Sequence, residues 1–149
     1  MTSVGNTNGY AGDILPAQAW ELLERDPKAQ LVDVRTRAEW AFVGVPDISG
    51  LGRDLHKVEW QLFPDMSLNT DFVRDVAERL RNSGAGADAP VLFLCRSGGR
   101  SRAAAIAMTA AGLKSALNIA GGFEGDADAT GHRGTVNGWK ASRLPWRQS

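Results

Sequence analysis

Residues 91–94 read VLFL, four apolar side chains in unbroken succession. A run of this kind suits a strand that a parallel sheet buries on both faces. CRSGGRS follows at 95–101, and RSRAAAIAMTAAG at 100–112 is an alanine-rich helix former that Gly112 can stop. The order is therefore strand, glycine-rich basic loop, helix. In open α/β sheets, functional sites form beyond the carboxyl ends of the strands. Cys95, the single cysteine of the chain, stands at that edge.

The rest of the chain alternates in the same way. PAQAWELLERD at 16–26 predicts a short helix with Pro16 at its first position and Ala19, Trp20, Leu22 and Leu23 on its buried side. LVDV at 31–34 is an apolar strand carrying one acid, Asp33. TRAEWAFV at 36–43 suits a brief helix, with Thr36 as N-cap and Glu39 three residues on, the capping-box spacing. Residues 44–54 read as loop, and LHKVEW at 55–60 as a strand. A helix is expected over 71–82, capped by Asn69 or Thr70, with Phe72, Val73, Val76 and Leu80 on one face. Residues 82–90 form a flexible connection, and SALNIAGGF at 115–123 a short strand and turn. The turn-rich C-terminal part packs back through Val136, Trp139, Leu144 and Trp146. This alternation predicts an α/β fold with a mainly parallel central sheet flanked by helices on both faces.

At 149 residues the chain suits one domain. We expect a loose tail over 1–12 and a single domain over 13–149. Basic and acidic residues balance at 17 each, so no bulk attraction to nucleic acid or an anionic membrane is expected. No apolar run approaches the ~20 residues that span a bilayer. The start lacks the basic and apolar segments of a signal peptide, and one cysteine gives no internal disulfide, so a cytoplasmic location is expected. Two histidines and one cysteine are too few for a zinc cluster, and no cofactor is called for.

The cysteine loop carries the chemistry. A helix start offers unpaired N–H groups and partial positive charge. Gly98 and Gly99 let a tight loop aim further N–H groups at one point, and Arg96 and Arg100 add full charges. These features favour a reactive thiolate and an anionic substrate over a merely buried structural cysteine. A passive phosphate cradle would leave Cys95 without a purpose. Two covalent chemistries remain. Tyrosine phosphatases place an arginine after five intervening residues, and here that position is Ser101. Arg100 comes after four, which makes a smaller cradle, better fitted to a sulfur atom carried on the cysteine. A phosphatase also needs a general acid, for which Asp126 and Asp128 are available, though both suit the surface.

Several stretches together resemble the single-domain rhodanese-like sulfurtransferases. LVDVRTRAEW at 31–40 resembles the family's early D-x-R…E-[WYF] motif, and VLFLCRSGGRS its active-site strand and loop. ALNIAGGFEGD at 116–126 resembles its N-[VIL]-x-G-G-[FWM] segment, and GWKASRLPW at 138–146 the ending of many members. One departure is VGVPDISG at 43–50, where many members have G-H-I-P-G-A; the 44–69 region can therefore shape a different rim. The resemblance implies a sulfurtransferase in which Cys95 is the nucleophile. It would take the outer sulfur of a small anionic donor such as thiosulfate and hold it as a persulfide. A thiol or sulfur-carrier protein would then accept it, or cyanide in an assay. Backbone N–H groups of 96–101 would stabilise the anionic sulfur, and Arg96 would meet the donor. Arg100 would either join it or brace the loop. Ser97 and Ser101 would donate hydrogen bonds, unless Ser101 caps the helix. Asp33 and Arg35 are expected as a structural pair, with Glu39 a further partner for Arg35. Gly121 and Gly122 would form a turn beside the loop, and His132 and Arg133 would be exposed. Alternatives are a phosphatase on the same scaffold and a non-catalytic regulatory module.

Overall fold

VLFL lies inside a parallel sheet, as its composition requires. The computed structural model describes residues 9–148. Its elements in chain order are β1 (Gly12–Ile14), α1 (Pro16–Arg25), β2 (Gln30–Asp33), α2 (Arg37–Phe42), β3 (Val45–Pro46), β4 (Leu55–Lys57), β5 (Gln61–Leu62), β6 (Ser67–Leu68), α3 (Phe72–Asn82), β7 (Val91–Leu94), α4 (Gly99–Ala110), β8 (Ala116–Ile119), α5 (Gly138–Ala141) and β9 (Trp146–Arg147). Five strands form one sheet in the order β1-β8-β7-β2-β4, and every neighbouring pair is parallel. β7 is its middle strand, and Val91, Leu92, Phe93 and Leu94 are fully buried. Each such side chain contributes about 1.5–3 kcal/mol relative to exposure.

The two faces are covered separately because successive strand side chains point to opposite sides. Val91 and Phe93 pack with Val32, with Phe72, Val76 and Leu80 of α3, and with Ala104, Ala105 and Met108 of α4. Leu92 and Leu94 pack on the other face with Leu31, with Ala19 and Leu23 of α1, and with Trp139 of α5. The α/β architecture with helices on both faces is thus the expected one. Small residues let α4 sit close to the sheet; Ala104 and Ala105 are wholly buried.

Local signals set several boundaries. Thr36 accepts from the Glu39 N–H while a Glu39 carboxylate oxygen accepts from the Thr36 N–H, a complete capping box on α2. Gly112, with φ +116°, follows the end of α4 in a conformation that favours glycine.

Several expectations are corrected. Residues 1–8 of the expected tail lie outside the described residues, but its last part is structured. Tyr10 is buried, the Ala11 N–H donates to the Ala116 carbonyl, and β1 begins at Gly12. The 44–54 segment is not all loop. β3 pairs antiparallel with β9, and a 3-10 turn spans Ser49–Leu51. Gly44, with φ +113°, has no room for a side chain: a Cβ there would stand 2.7 Å from the Arg147 carbonyl. That close approach seats the C-terminal strand. The strand expected over 55–60 ends at Lys57, and 61–68 turns back as the β5–β6 hairpin. α3 is entered through Asp71, without a side-chain cap, while the Asn69 side chain accepts from the Asp71 N–H. In the C-terminal part Trp139 is fully buried and Trp146 meets Phe123 edge-on at 6.0 Å, but Val136 is 53% exposed and anchors nothing. No described helix is long and apolar enough to cross a membrane.

Candidate active site

β2, β7 and β8 run side by side in register, Asp33 beside Leu94 and Phe93 beside Asn118. Their carboxyl ends bring Arg35, Cys95 and the 120–125 turn to one edge of the sheet. Cys95 is 1% exposed and unbridged. Its Sγ accepts from the Gly98 N–H at 3.1 Å and has the Ser101 hydroxyl at 3.2 Å. Gly98, with φ +121°, is the residue that turns the chain so that this N–H faces the sulfur. It also precedes α4. The Arg102 N–H donates to the Gly98 carbonyl, so the N–H groups of Gly99, Arg100 and Ser101 belong to the helix's open first turn. One loop N–H, that of Gly98, is thus directed at the sulfur, with the open first turn of α4 following it.

The expected loop residues divide by exposure. Arg96 is exposed and Ser97 half-buried, while Gly98 and Ser101 are buried. Arg96 is thus free to meet an anion at the surface. Ser101 lies in the first turn of α4, and Gly98 holds the N-cap position in its place. Arg100 makes two hydrogen bonds to Glu39, Nη1 to Oε1 at 2.7 Å and Nη2 to Oε2 at 3.0 Å. Of the two roles open to Arg100, this contact is the bracing one. Burial alone would raise the Glu39 carboxyl, but the hydrogen bonds from Arg100 and Thr36 outweigh it and hold it at about 2.

Glu39 is therefore not the partner of Arg35. Asp33 is: Arg35 Nη2 donates to Asp33 Oδ2 at 2.7 Å and Nε to Oδ1 at 3.0 Å, with both side chains fully buried. Nη2 also donates to the Gly44 carbonyl, and the guanidinium stands 4.3 Å over the Phe123 ring. Phe123 lies in the turn that clamps the cysteine loop. Its N–H donates to the Cys95 carbonyl at 2.8 Å, and the N–H groups of Glu124 and Gly125 donate to the Arg96 carbonyl. Gly121 and Gly122 form that turn with φ +81° and +61°. A Cβ on Gly122 would stand 2.6 Å from the Arg96 carbonyl carbon, so the two backbones touch directly.

Asp126 and Asp128 are engaged elsewhere. Asp126 accepts from the Asn137 amide. Asp128 accepts from the His132 N–H and from Thr130 and Thr135, which hold its carboxyl at about 2. The partners of both carboxylates lie in the C-terminal turns. His132 and Arg133 are exposed, as expected. The divergent stretch after β4 packs beside α2. Glu59 accepts from the N–H of Arg37 at the start of α2 and from that of Phe63 in the hairpin, placing the hairpin beside the helix that carries Glu39.

Three polar residues of the site, the buried Asn118 and Tyr10 and the exposed Asp13, were not singled out from the sequence. The Asn118 side chain, 1% exposed, accepts from Ser101 at 2.6 Å and donates to Asp13 at 3.0 Å. The Tyr10 hydroxyl donates to the same Asp13 oxygen at 2.8 Å. Asn118 was detectable as the one polar residue inside ALNI. Tyr10 and Asp13 gave no such sign, since they flank the end of the expected tail.

The STR4 middle domain family matches residues 12–149. An uncharacterized RP600 homologue of Rickettsia rickettsii is 36% identical over 135 residues, 91% of this chain and 96% of that protein. A chloroplastic thylakoid rhodanese-like protein of Oryza sativa subsp. indica is 27% identical over 143 residues, 96% of this chain but 26% of that protein. Among solved structures, Rv0390 of M. tuberculosis superposes with a TM-score of 0.84 at 52% identity, covering 94% of this chain and 99% of its own. The polysulfide-sulfur transferase homodimer of Wolinella succinogenes has a TM-score of 0.57 at 18% identity, over 98% and 83% of the two chains, a likeness of fold. The parallel sheet, the cysteine loop at its edge and the length of the match agree: the chain has a rhodanese-like fold and belongs to the STR4 middle domain family.

Proposed function

We propose that this protein is a cytoplasmic sulfurtransferase that carries a sulfane sulfur on Cys95. The observation that supports it most is the sulfur itself, buried at a strand end with the Gly98 N–H directed at it and the open first turn of α4 beside it. The loop closes at Arg100, after four intervening residues, which makes a shorter cradle than one closed after five. In the first step the Cys95 sulfur attacks the outer sulfur of thiosulfate. A new S–S bond forms, the S–S bond of the donor breaks, and sulfite leaves with the thiol proton as bisulfite. The product is a persulfide whose terminal sulfur is anionic, and the loop N–H groups face that charge. In the second step cyanide, or a thiol of a small molecule or carrier protein, takes the terminal sulfur and returns Cys95.

Arg96 is the exposed cation of the loop and draws in the anionic donor. Arg100 holds the loop against α2 through Glu39. Preorganisation of this kind matters because donors aimed in advance cost no rearrangement during the reaction. The test is thiocyanate formation from thiosulfate and cyanide by the purified chain. Turnover that Cys95→Ser abolishes supports the reading. Turnover that survives Cys95→Ser, or Cys95-dependent cleavage of an aryl phosphate without thiocyanate formation, overturns it.

A further inference from the structure

A row of polar side chains, Cys95, Ser101, Asn118 and Asp13, runs from the sulfur to the exposed Asp13 carboxylate, which the buried Tyr10 also meets. The Ser101 hydroxyl has one proton but three acceptors in reach, Asn118 Oδ1 at 2.6 Å, Cys95 Sγ at 3.2 Å and the Gly98 carbonyl at 3.2 Å. Which of them receives it is decided at the far end of the row. The Asp13 carboxylate only accepts, and it already takes the Tyr10 O–H on Oδ1. Burial, then the contact with Asp13, push the Tyr10 hydroxyl up from its ordinary 10, so it stays a donor. The side of the Asn118 amide facing Asp13 must therefore be its NH₂. The other side is then the carbonyl oxygen, and Ser101 must donate to it. Asn118 and Ser101 are both at least 99% buried, so water cannot substitute for either contact.

We propose that Asp13 is a positioning residue: through Asn118 it turns the Ser101 proton away from Cys95 and leaves an oxygen lone pair facing the sulfur. A lone pair there accepts an S–H and repels a thiolate. It opposes the Gly98 N–H and the Arg100 charge, which both favour the anion. The row thus favours the protonated resting thiol over the thiolate.

Asp13 is exposed on β1, so Asp13→Asn is compatible with the fold. An asparagine there can offer its own NH₂, which frees Asn118 to flip and the Ser101 proton to turn to Sγ. The expected result at neutral pH is a larger ultraviolet thiolate absorbance and alkylation of Cys95 by iodoacetamide faster by roughly 3- to 10-fold, one hydrogen bond's worth. Asn118→Ala, which removes the acceptor, is expected to move both readouts the same way. A rigid scaffold role for Asp13 would leave the absorbance unmoved. Unchanged or slower alkylation in Asp13→Asn, with the absorbance unchanged, overturns the proposal. Neither readout uses a sulfur donor, so the outcome is separate from whether the protein transfers sulfur.

Discussion

Arg100 and Glu39, 61 positions apart in sequence, meet through two hydrogen bonds of 2.7 and 3.0 Å at the rim of the cysteine loop. The contact joins the first turn of α4 to the first turn of α2. Both side chains are about four-fifths buried, at 20% and 19% exposure, so the pair is shielded from solvent more than a surface ion pair.

Glu39→Gln is expected to lower stability by roughly 1–3 kcal/mol, because it leaves a half-buried guanidinium without its counter-charge. The folded Glu39 carboxyl lies at about 2 against an ordinary 4.5. Its contribution is therefore complete above pH 4.5 and lost as pH falls toward 2. Urea denaturation of the two proteins across that range should show the gap closing with acid. A gap that stays constant with pH would show that the charge is not its origin.

Asp33→Asn tests the buried pair beneath the loop. Arg35 is fully buried and relies on Asp33 for its charge balance. Leaving it uncompensated is expected to cost about 3–5 kcal/mol. The loss should also reach the site, since Arg35 lies over Phe123, whose N–H holds the Cys95 carbonyl. Thermal unfolding measures the first effect and the rate of Cys95 alkylation the second.

Gly122→Ala places a methyl group on the Cys95–Arg96 peptide at a residue with φ +61°. The loop must move aside, and backbone gives way less readily than a side chain. We expect a stability loss of about 1–3 kcal/mol and a fall in sulfur transfer of at least about tenfold, on the scale of a small misplacement of reacting groups. An active, stable Gly122→Ala protein would show that the turn does not set the loop.

His56 provides an independent pH effect. Burial, then the nearby Arg79 charge, lower its affinity for a proton below the ordinary 6.5. Its Nε2–H donates to Gln30 Oε1 at 2.9 Å, an orientation fixed because the Gln30 amide NH₂ donates to the Lys28 carbonyl. The folded state therefore binds this proton less readily than the unfolded state. Stability should be complete above about pH 6.5 and fall below it. His56→Gln should flatten that slope in denaturant titrations between pH 5 and 7, well above the range where Glu39 acts.

The elements that the sequence made legible are those set by local rules. VLFL at 91–94, the capping box of Thr36 and Glu39, and Gly112 after α4 each depend on residues a few positions apart. The loop was legible for the same reason, because Cys95, Gly98 and Ser101 fall within one turn. What joins the loop to the rest was not. Glu39 was expected beside Arg35, four residues away, and instead pairs with Arg100 across the sheet edge. Asn118 and Asp13 lie 105 residues apart and meet because β1 and β8 are parallel neighbours. Periodicity shows which residues face inward, but strand order decides which polar groups meet there. Val136 was expected to pack from its hydrophobicity alone, and it sits exposed in a stretch of turns.

Whether Cys95 carries sulfur can be read by intact-protein mass spectrometry after incubation with thiosulfate. The expected result is a mass gain of one sulfur atom located on Cys95, removed by cyanide and absent from Cys95→Ser. An unmodified protein under these conditions, or a sulfur that remains after cyanide treatment, would contradict it.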